Sequence, residues 1–241
     1  MGRDMKRVCT ICARGGSKGV PNKNILEIAG RPLIAHSLEQ AEASGLFDSI
    51  AVSSDSNEIL DVAAKWGADH LIKRPDELAS DTSAKLPAIR HCVLAVEEVS
   101  GEKYDIIVDL DATSPLRSVG DVIGAVELLE KEGLGNVITG TPSRRSPYFN
   151  LVEKDPEEGI RPVKKLDKPV ARRQDAPECF DMNASIYVWR RSVLLEKETI
   201  FNKDTALFIM PEERSIDMDS IFDLEIISFL IEKSAERGAE R

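Results

Sequence analysis

The stretch that decides the fold runs Val8-Cys9-Thr10-Ile11-Cys12 and then Ala13-Arg14-Gly15-Gly16-Ser17-Lys18-Gly19-Val20-Pro21-Asn22-Lys23-Asn24. Residues 8–12 are apolar and β-branched at their centre, the pattern of a buried strand. Residues 13–24 hold three glycines, a proline and two asparagines, so they form a loop. In open α/β sheets ligands sit at the carboxyl ends of strands, which is where this loop lies. Glycines let backbone N–H groups approach anionic oxygens, and Arg14, Lys18 and Lys23 add charge. The loop is not GxxxxGK[ST], because Lys18 follows Ser17 instead of preceding a hydroxyl residue. Nor is it GxGxxG, because Gly15 and Gly16 are adjacent. A plain surface turn does not need three cations within ten residues, so the loop reads as an anion site.

Outward from this loop, helical and extended patterns alternate. Pro32 opens a helix over 32–44, with Leu33, Ile34, Ser37, Leu38 and Ala41 on one face and Gly45 as its stop. Strands are predicted over 49–54, 70–72, 104–110 and 136–141, with helices over 57–66, 84–99 and 122–132 between them. Asp121 is expected to cap the last of these helices. The alternation predicts an α/β class with a largely parallel sheet. From 142 to 181 the pattern breaks up around Pro142, Pro147, Pro156, Pro162, Pro169 and Pro177, which reads as hairpins leaving the main body. Strands at 184–189 and 206–210 and a helix over 222–233 then return to it.

The chain has 241 residues, enough for one large α/β domain. Its 32 Lys and Arg against 42 Asp and Glu give a net charge of −10, which argues against a nucleic-acid partner. No apolar run is long enough for a membrane span, and no signal-peptide pattern opens the chain. Four cysteines in a chain of this size make no disulfide framework, so a cytoplasmic setting is expected. Cys9-x-x-Cys12 lies on a strand, where positions i and i+3 face opposite ways, so it reads as core and not as half a zinc site. His36, His70 and His91 fall in no motif. Trp66 and Trp189 are expected in the core.

The loop resembles the signature of the acylneuraminate cytidylyltransferases, the CMP-sialic acid synthetase family. The resemblance continues in order through Val52-Ser53-Ser54-Asp55, Arg74-Pro75, Leu78-Ala79-Ser80-Asp81-Thr82, Thr113-Ser114-Pro115-Leu116-Arg117, Arg172-Arg173-Gln174, Asn183-Ala184-Ser185-Ile186-Tyr187 and Ser215-Ile216-Asp217-Met218-Asp219. Each segment is weak alone; together they span nearly the whole chain.

The resemblance implies a Rossmann-like, mostly parallel, three-layer nucleotidyltransferase sheet with a small hairpin-rich dimerisation arm. The divisions it implies are 5–141 for the nucleotide-binding core, 142–182 for the arm or lid, and 183–241 for the return with the metal motif. It implies transfer of CMP from CTP to the anomeric hydroxyl of a nine-carbon α-keto acid sugar, with release of pyrophosphate. Arg14, Lys23, Arg172 and Arg173 are then the catalytic cations. Ala13, Arg14, Gly15, Ser17, Lys18, Lys23, Asn24, Arg74 and Ser83 would bind the nucleotide. Asp111, Arg173, Gln174, Asn183 and Tyr187 would contact the sugar, and Asp217 and Asp219 would hold Mg2+. Alternate residues of an extended segment share a side, so both carboxylates can reach one hard cation. A homodimer is implied as well.

The sequence departs from the common sialic acid pattern at Asp111, where that pattern has Gln. An ionised carboxylate accepts hydrogen bonds and cannot donate them, so either the sugar contacts change or Asp111 joins the metal. Residues 84–88 and 144–153 resemble the bacterial branch whose sugar is N,N′-diacetyllegionaminic acid. N-acetylneuraminate, pseudaminate and 3-deoxy-octulosonate remain alternatives. A non-catalytic sugar-nucleotide binding protein is a further reading, opposed by the intact Arg14, Lys23, Asp217 and Asp219.

Overall fold

The computed structural model describes residues 5–16, 19–80, 83–157, 159–166 and 172–239. Strand β1 (Arg7–Cys12) leads into the glycine-rich loop, which is followed by a two-strand ribbon, β2 (Glu27–Ile28) and β3 (Arg31–Pro32). Helix α1 (Leu33–Ser44) starts after Pro32 and stops at Gly45, whose φ of 61° an L side chain would resist. Next come β4 (Ser49–Ser54), α2 (Asn57–Lys65), β5 (His70–Lys73), α3 (Lys85–Ser100) and β6 (Ile106–Leu110). Helix α4 (Val119–Glu132) begins at Ser118, not at Asp121. The Ser118 hydroxyl accepts from the Asp121 N–H, while the Asp121 carboxylate takes the Ser118 N–H. Asp121 is therefore the returning half of a capping box, three residues inside the cap that the sequence reading assigned to it.

Strand β7 (Asn136–Pro142) precedes the excursion, which carries the hairpin of β8 (Val152–Asp155) and β9 (Gly159–Pro162). The chain returns as β10 (Phe180–Arg190), α5 (Arg191–Glu196), β11 (Thr205–Ile209) and α6 (Ile221–Ala239). The main sheet has seven strands in the order β11-β7-β10-β6-β1-β4-β5. Only β10 runs antiparallel to its neighbours β6 and β7.

Strand residues alternate between two cores, as period two requires. Cys9, Ile11, Val52, Ile106, Val108 and Leu110 pack with α1, α2 and α4. Val8, Ala51, Ile72, Ile107 and Trp189 pack with α3 and α5. The chain is thus three layers deep, and each fully buried Ile or Leu contributes about 2 kcal/mol. Cys9 and Cys12 do face opposite ways, one towards each core. Trp189 is buried, whereas Trp66 is only partly covered at the edge of the first core. A third, smaller core joins Val20 of the loop, Ile28, Leu33, Met218 and Ile227 of α6. It holds the loop against the segment that carries Asp217 and Asp219. Among the described residues no helix is long and apolar enough to cross a membrane.

Candidate active site

The carboxyl ends of β1, β5 and β6 open into one cavity of about 310 Å³. Because β10 is reversed, its amino-terminal half reaches the same end of the sheet. Arg14, Lys23, Asn24, Arg74 and Ser83 line one part of the cavity; Lys85, Asp111, Thr113, Asp217 and Asp219 line the other.

The loop side is built from the backbone outwards. Ala13 continues β1 through an N–H bond to the Ser53 carbonyl. Gly15 donates its N–H to Asp55 Oδ1 at 2.8 Å, which pins the loop to the end of β4. Asn24 is buried; its Nδ2 donates to the Arg14 carbonyl at 2.9 Å, and its Oδ1 finds no partner among the described residues. Arg74 is buried too, with Nε and Nη2 on the Ser53 side chain and carbonyl. Arg14 reaches the Ser80 carbonyl, and Ser83 Oγ donates to the Glu77 carbonyl. Lys23 Nζ holds the Met218 carbonyl at 2.9 Å and Asp219 Oδ1 at 2.8 Å, so the loop and the D-x-D segment are already joined. Ser17 and Lys18 lie outside the described residues.

The acidic side turns on Thr113. Its hydroxyl lies 2.7 Å from Asp111 Oδ1 and also contacts Asp217 Oδ1. One hydroxyl proton cannot serve two ionised carboxylates. Burial, and then the charge of Asp111, push the Asp217 carboxyl up to about 6. Asp111 goes the other way: burial opposes its ionisation, but Lys85 and the Thr113 bonds outweigh that and hold it well below the ordinary carboxylate range. Lys85 Nζ bridges Asp111 Oδ2 at 2.6 Å and Asp109 Oδ2 at 3.0 Å and stands 4.9 Å over the Tyr187 ring. Asp109 is fully buried and accepts from Thr10 Oγ1 at 2.8 Å.

Beneath this, Arg117 is buried with its guanidinium on Gln40 Oε1, Ser37 Oγ, the Asp111 carbonyl and the Ser185 carbonyl. Burial lowers it to about 10, which leaves it charged at neutral pH. An apolar groove adjoins the cavity, lined by Leu86, Ile89, Tyr187, Trp189, Ile200 and Phe201. Tyr187 and Trp189 stack at 5.2 Å, which stiffens that wall.

Three expected sugar or phosphate contacts stand elsewhere. Asn183 has its amide engaged by Thr139, Ser185 and Ser215, within the bulged part of β10, and it does not line the cavity. Gln174 lines a separate hollow with Arg145 and Glu178. Arg172 is exposed and pairs with Asp175. The Arg173 side chain lies outside what the structure describes. Conversely, the sequence reading passed over Asp109, Thr113 and Lys85 as site residues. The signal for Lys85 was a lysine in the first turn of a helix, where the dipole disfavours a cation unless carboxylates face it.

Residues 8–225 match the sequence profile of the cytidylyltransferase family. This chain belongs to that family. It is therefore a nucleotidyltransferase, and relatives agree along its length. It is 47% identical over 226 residues to post-translational flagellin modification protein B of Campylobacter coli, covering 94% of this chain and 95% of that one. It is 47% identical over 224 residues to CMP-N,N′-diacetyllegionaminic acid synthase of Campylobacter jejuni, covering 93% and 94%. The fold of this cytidylyltransferase is that of CMP:2-keto-3-deoxy-manno-octonic acid synthetase, solved with CTP. There the TM-score is 0.69 at 18% identity, over 95% of this chain and 99% of the other.

Proposed function

We propose that this cytidylyltransferase moves CMP from CTP to the anomeric hydroxyl of a nine-carbon α-keto acid sugar, N,N′-diacetyllegionaminic acid before others, for surface or flagellar glycans. The observation that carries this reading is the single cavity in which the loop cations meet the acidic floor. The sugar hydroxyl attacks the α-phosphorus, the bond to the β-phosphate oxygen breaks, and pyrophosphate leaves with the negative charge that develops. In this reading Arg14 and Lys23 hold the phosphates, and Gly15, Ser17 and Lys18 of the same loop take part in binding the nucleotide. Asn24 Oδ1, buried without a partner, suits a donor such as a ribose hydroxyl, and Arg74 and Ser83 suit the base. The groove beside Tyr187 suits an acceptor with methyl-bearing substituents. Arg172, Gln174 and Asn183 reach substrate only if the segments carrying them rearrange.

Mg2+ fits the acidic side. Among the described residues no three His, Cys, Asp or Glu side chains form a ready cage. Asp111 and Asp217 nevertheless share one hydroxyl proton, an arrangement that a hard divalent cation relieves. Mg2+ commonly takes one or two carboxylates plus substrate phosphates. Bound by Asp217 with Asp111 or Asp219, it would polarise the phosphoryl oxygens. The arm supports pairing of two copies, because Leu151, Val152 and Ile160 leave apolar surface exposed on it.

The test is pyrophosphate release with CTP, Mg2+ and a panel of keto acid sugars. Release with the diacetylated sugar at the highest kcat/KM is expected; no release with any nine-carbon acid refutes the reading. Asp217→Asn is expected to lower kcat by about 100-fold or more in the same assay.

A further inference from the structure

Two hollows meet at one side chain. The acidic cavity and the apolar groove have only Ala84 and Lys85 in common. Lys85 opens α3, where the helix dipole opposes a positive charge, and burial opposes it further. Asp109 and Asp111 outweigh both and hold the ammonium well above its ordinary range. Asp109 has no exposed surface and accepts from Thr10, which fixes it beside Lys85. Yet the Lys85 side chain keeps 32% of its surface open. An ammonium has three donor hydrogens; Asp111 Oδ2 takes one, while Asp109 Oδ2 stands 3.0 Å away as an ion-pair partner without a hydrogen bond. Donor capacity is left at the seam between the hollows.

Among the described residues, the other cations of the site lie away from this seam. Lys23 is on Asp219, Arg74 on Ser53 and Arg172 on Asp175. Arg14 lines the acidic cavity and not the groove. The acceptor in the proposed reaction is an anion whose carboxylate sits on the same carbon as the attacking hydroxyl. Fixing that carboxylate therefore fixes the nucleophile.

We propose that Lys85 is a specificity-determining residue that donates to the carboxylate of the acceptor sugar and so turns its anomeric hydroxyl towards the nucleotide. This rests on the cytidylyl-transfer reading above and adds to it the group that reads the acid. In this role Lys85 orients the acceptor and does not take its proton.

The experiment is a cycle crossing enzyme and substrate. Wild type, Lys85→Met and Lys85→Arg are each assayed with the sugar acid and with its methyl ester, and the KM for CTP is followed alongside. Wild type is expected to prefer the acid by about 30-fold or more in kcat/KM. Lys85→Met is expected to lose that preference through a raised sugar KM, with the KM for CTP within about threefold of wild type. Lys85→Arg is expected to restore part of it. If Lys85→Met fails to fold around the stranded Asp109, the cycle is read in Lys85→Met/Asp109→Asn against Asp109→Asn. An acid-to-ester ratio that survives the loss of Lys85 overturns the assignment while leaving the transfer reading intact. Absence of turnover by wild type with any acid overturns the transfer reading, and the assignment falls with it.

Discussion

Gly19 has no room for a side chain. A Cβ there would lie 2.2 Å from the Asp219 carbonyl oxygen, so the loop touches the D-x-D backbone directly. Gly19→Ala is expected to push these segments apart and cost more than 10-fold in kcat/KM. Pyrophosphate release set beside thermal unfolding checks this, the expected result being a large kinetic loss with a Tm within a few degrees of wild type. At this scale the sequence disclosed those residues whose meaning is local. Arg14, Lys23, Asn24, Arg74, Ser83, Asp111, Tyr187, Asp217 and Asp219 stand where motif and order put them, at the end of the sheet. Lys85 was opaque because its partners Asp109 and Asp111 are on another strand. Asn183 stands apart from the cavity for the converse reason: a polar side chain in a motif can be engaged by a bulge. Its backbone neighbour Ala184 has a φ of 52°, and the amide of Asn183 stabilises that turn.

At the scale of elements, Arg117 ties α1, the end of β6 and β10 together from the centre of the molecule. Arg117→Met removes one charge and takes a donor from Gln40 Oε1, Ser37 Oγ and the Asp111 and Ser185 carbonyls, of which the two carbonyls keep one other donor each. It is expected to lower unfolding stability by about 3 kcal/mol, read from urea melts. Most strands and helices were legible within a residue or two, and Gly45, Gly101 and Gly133 end their helices in the left-handed region; α4 instead starts at Val119, β10 at Phe180, and α6 runs on to Ala239. The ribbon of β2 and β3 was not legible, since two-residue strands carry no period. The sequence points to Asp121 as the cap because the apolar pattern becomes clear only three residues after Ser118. The reversal of β10 was invisible too: a buried strand has the same composition in either direction.

Across the whole molecule, Glu97 near the end of α3 is bound by Arg191 at 2.6 Å and by Lys103 at 2.8 Å, so it joins parts of the chain far apart in sequence. Burial works against its ionisation, but these cations and the Tyr104 N–H hold its pKa below the ordinary value. A carboxylate depressed in the fold adds stability above its unfolded pKa and loses it as pH falls through the folded one. Glu97→Gln is therefore expected to lower Tm at pH 7, and the gap from wild type should close as the pH is taken from about 5 to below 4. Parallel Tm series on the two proteins check the sign; a gap that widens in acid contradicts it. The class of fold was legible from the alternation of elements, whereas the strand order was not, because crossovers are set by packing between cores.

The reversed strand β10 has a consequence for biosynthesis. On the ribosome, β7 emerges before either of its neighbours, β10 and β11, has been made. Its apolar edge, Val137 and Ile138, waits unpaired until synthesis has passed residue 190. A nascent chain halted before that point presents an open β edge, the form of intermediate that chaperones bind and that aggregates at high expression. Slowing translation across residues 143–179 should therefore reduce the soluble yield, whereas slowing it after residue 209 should not.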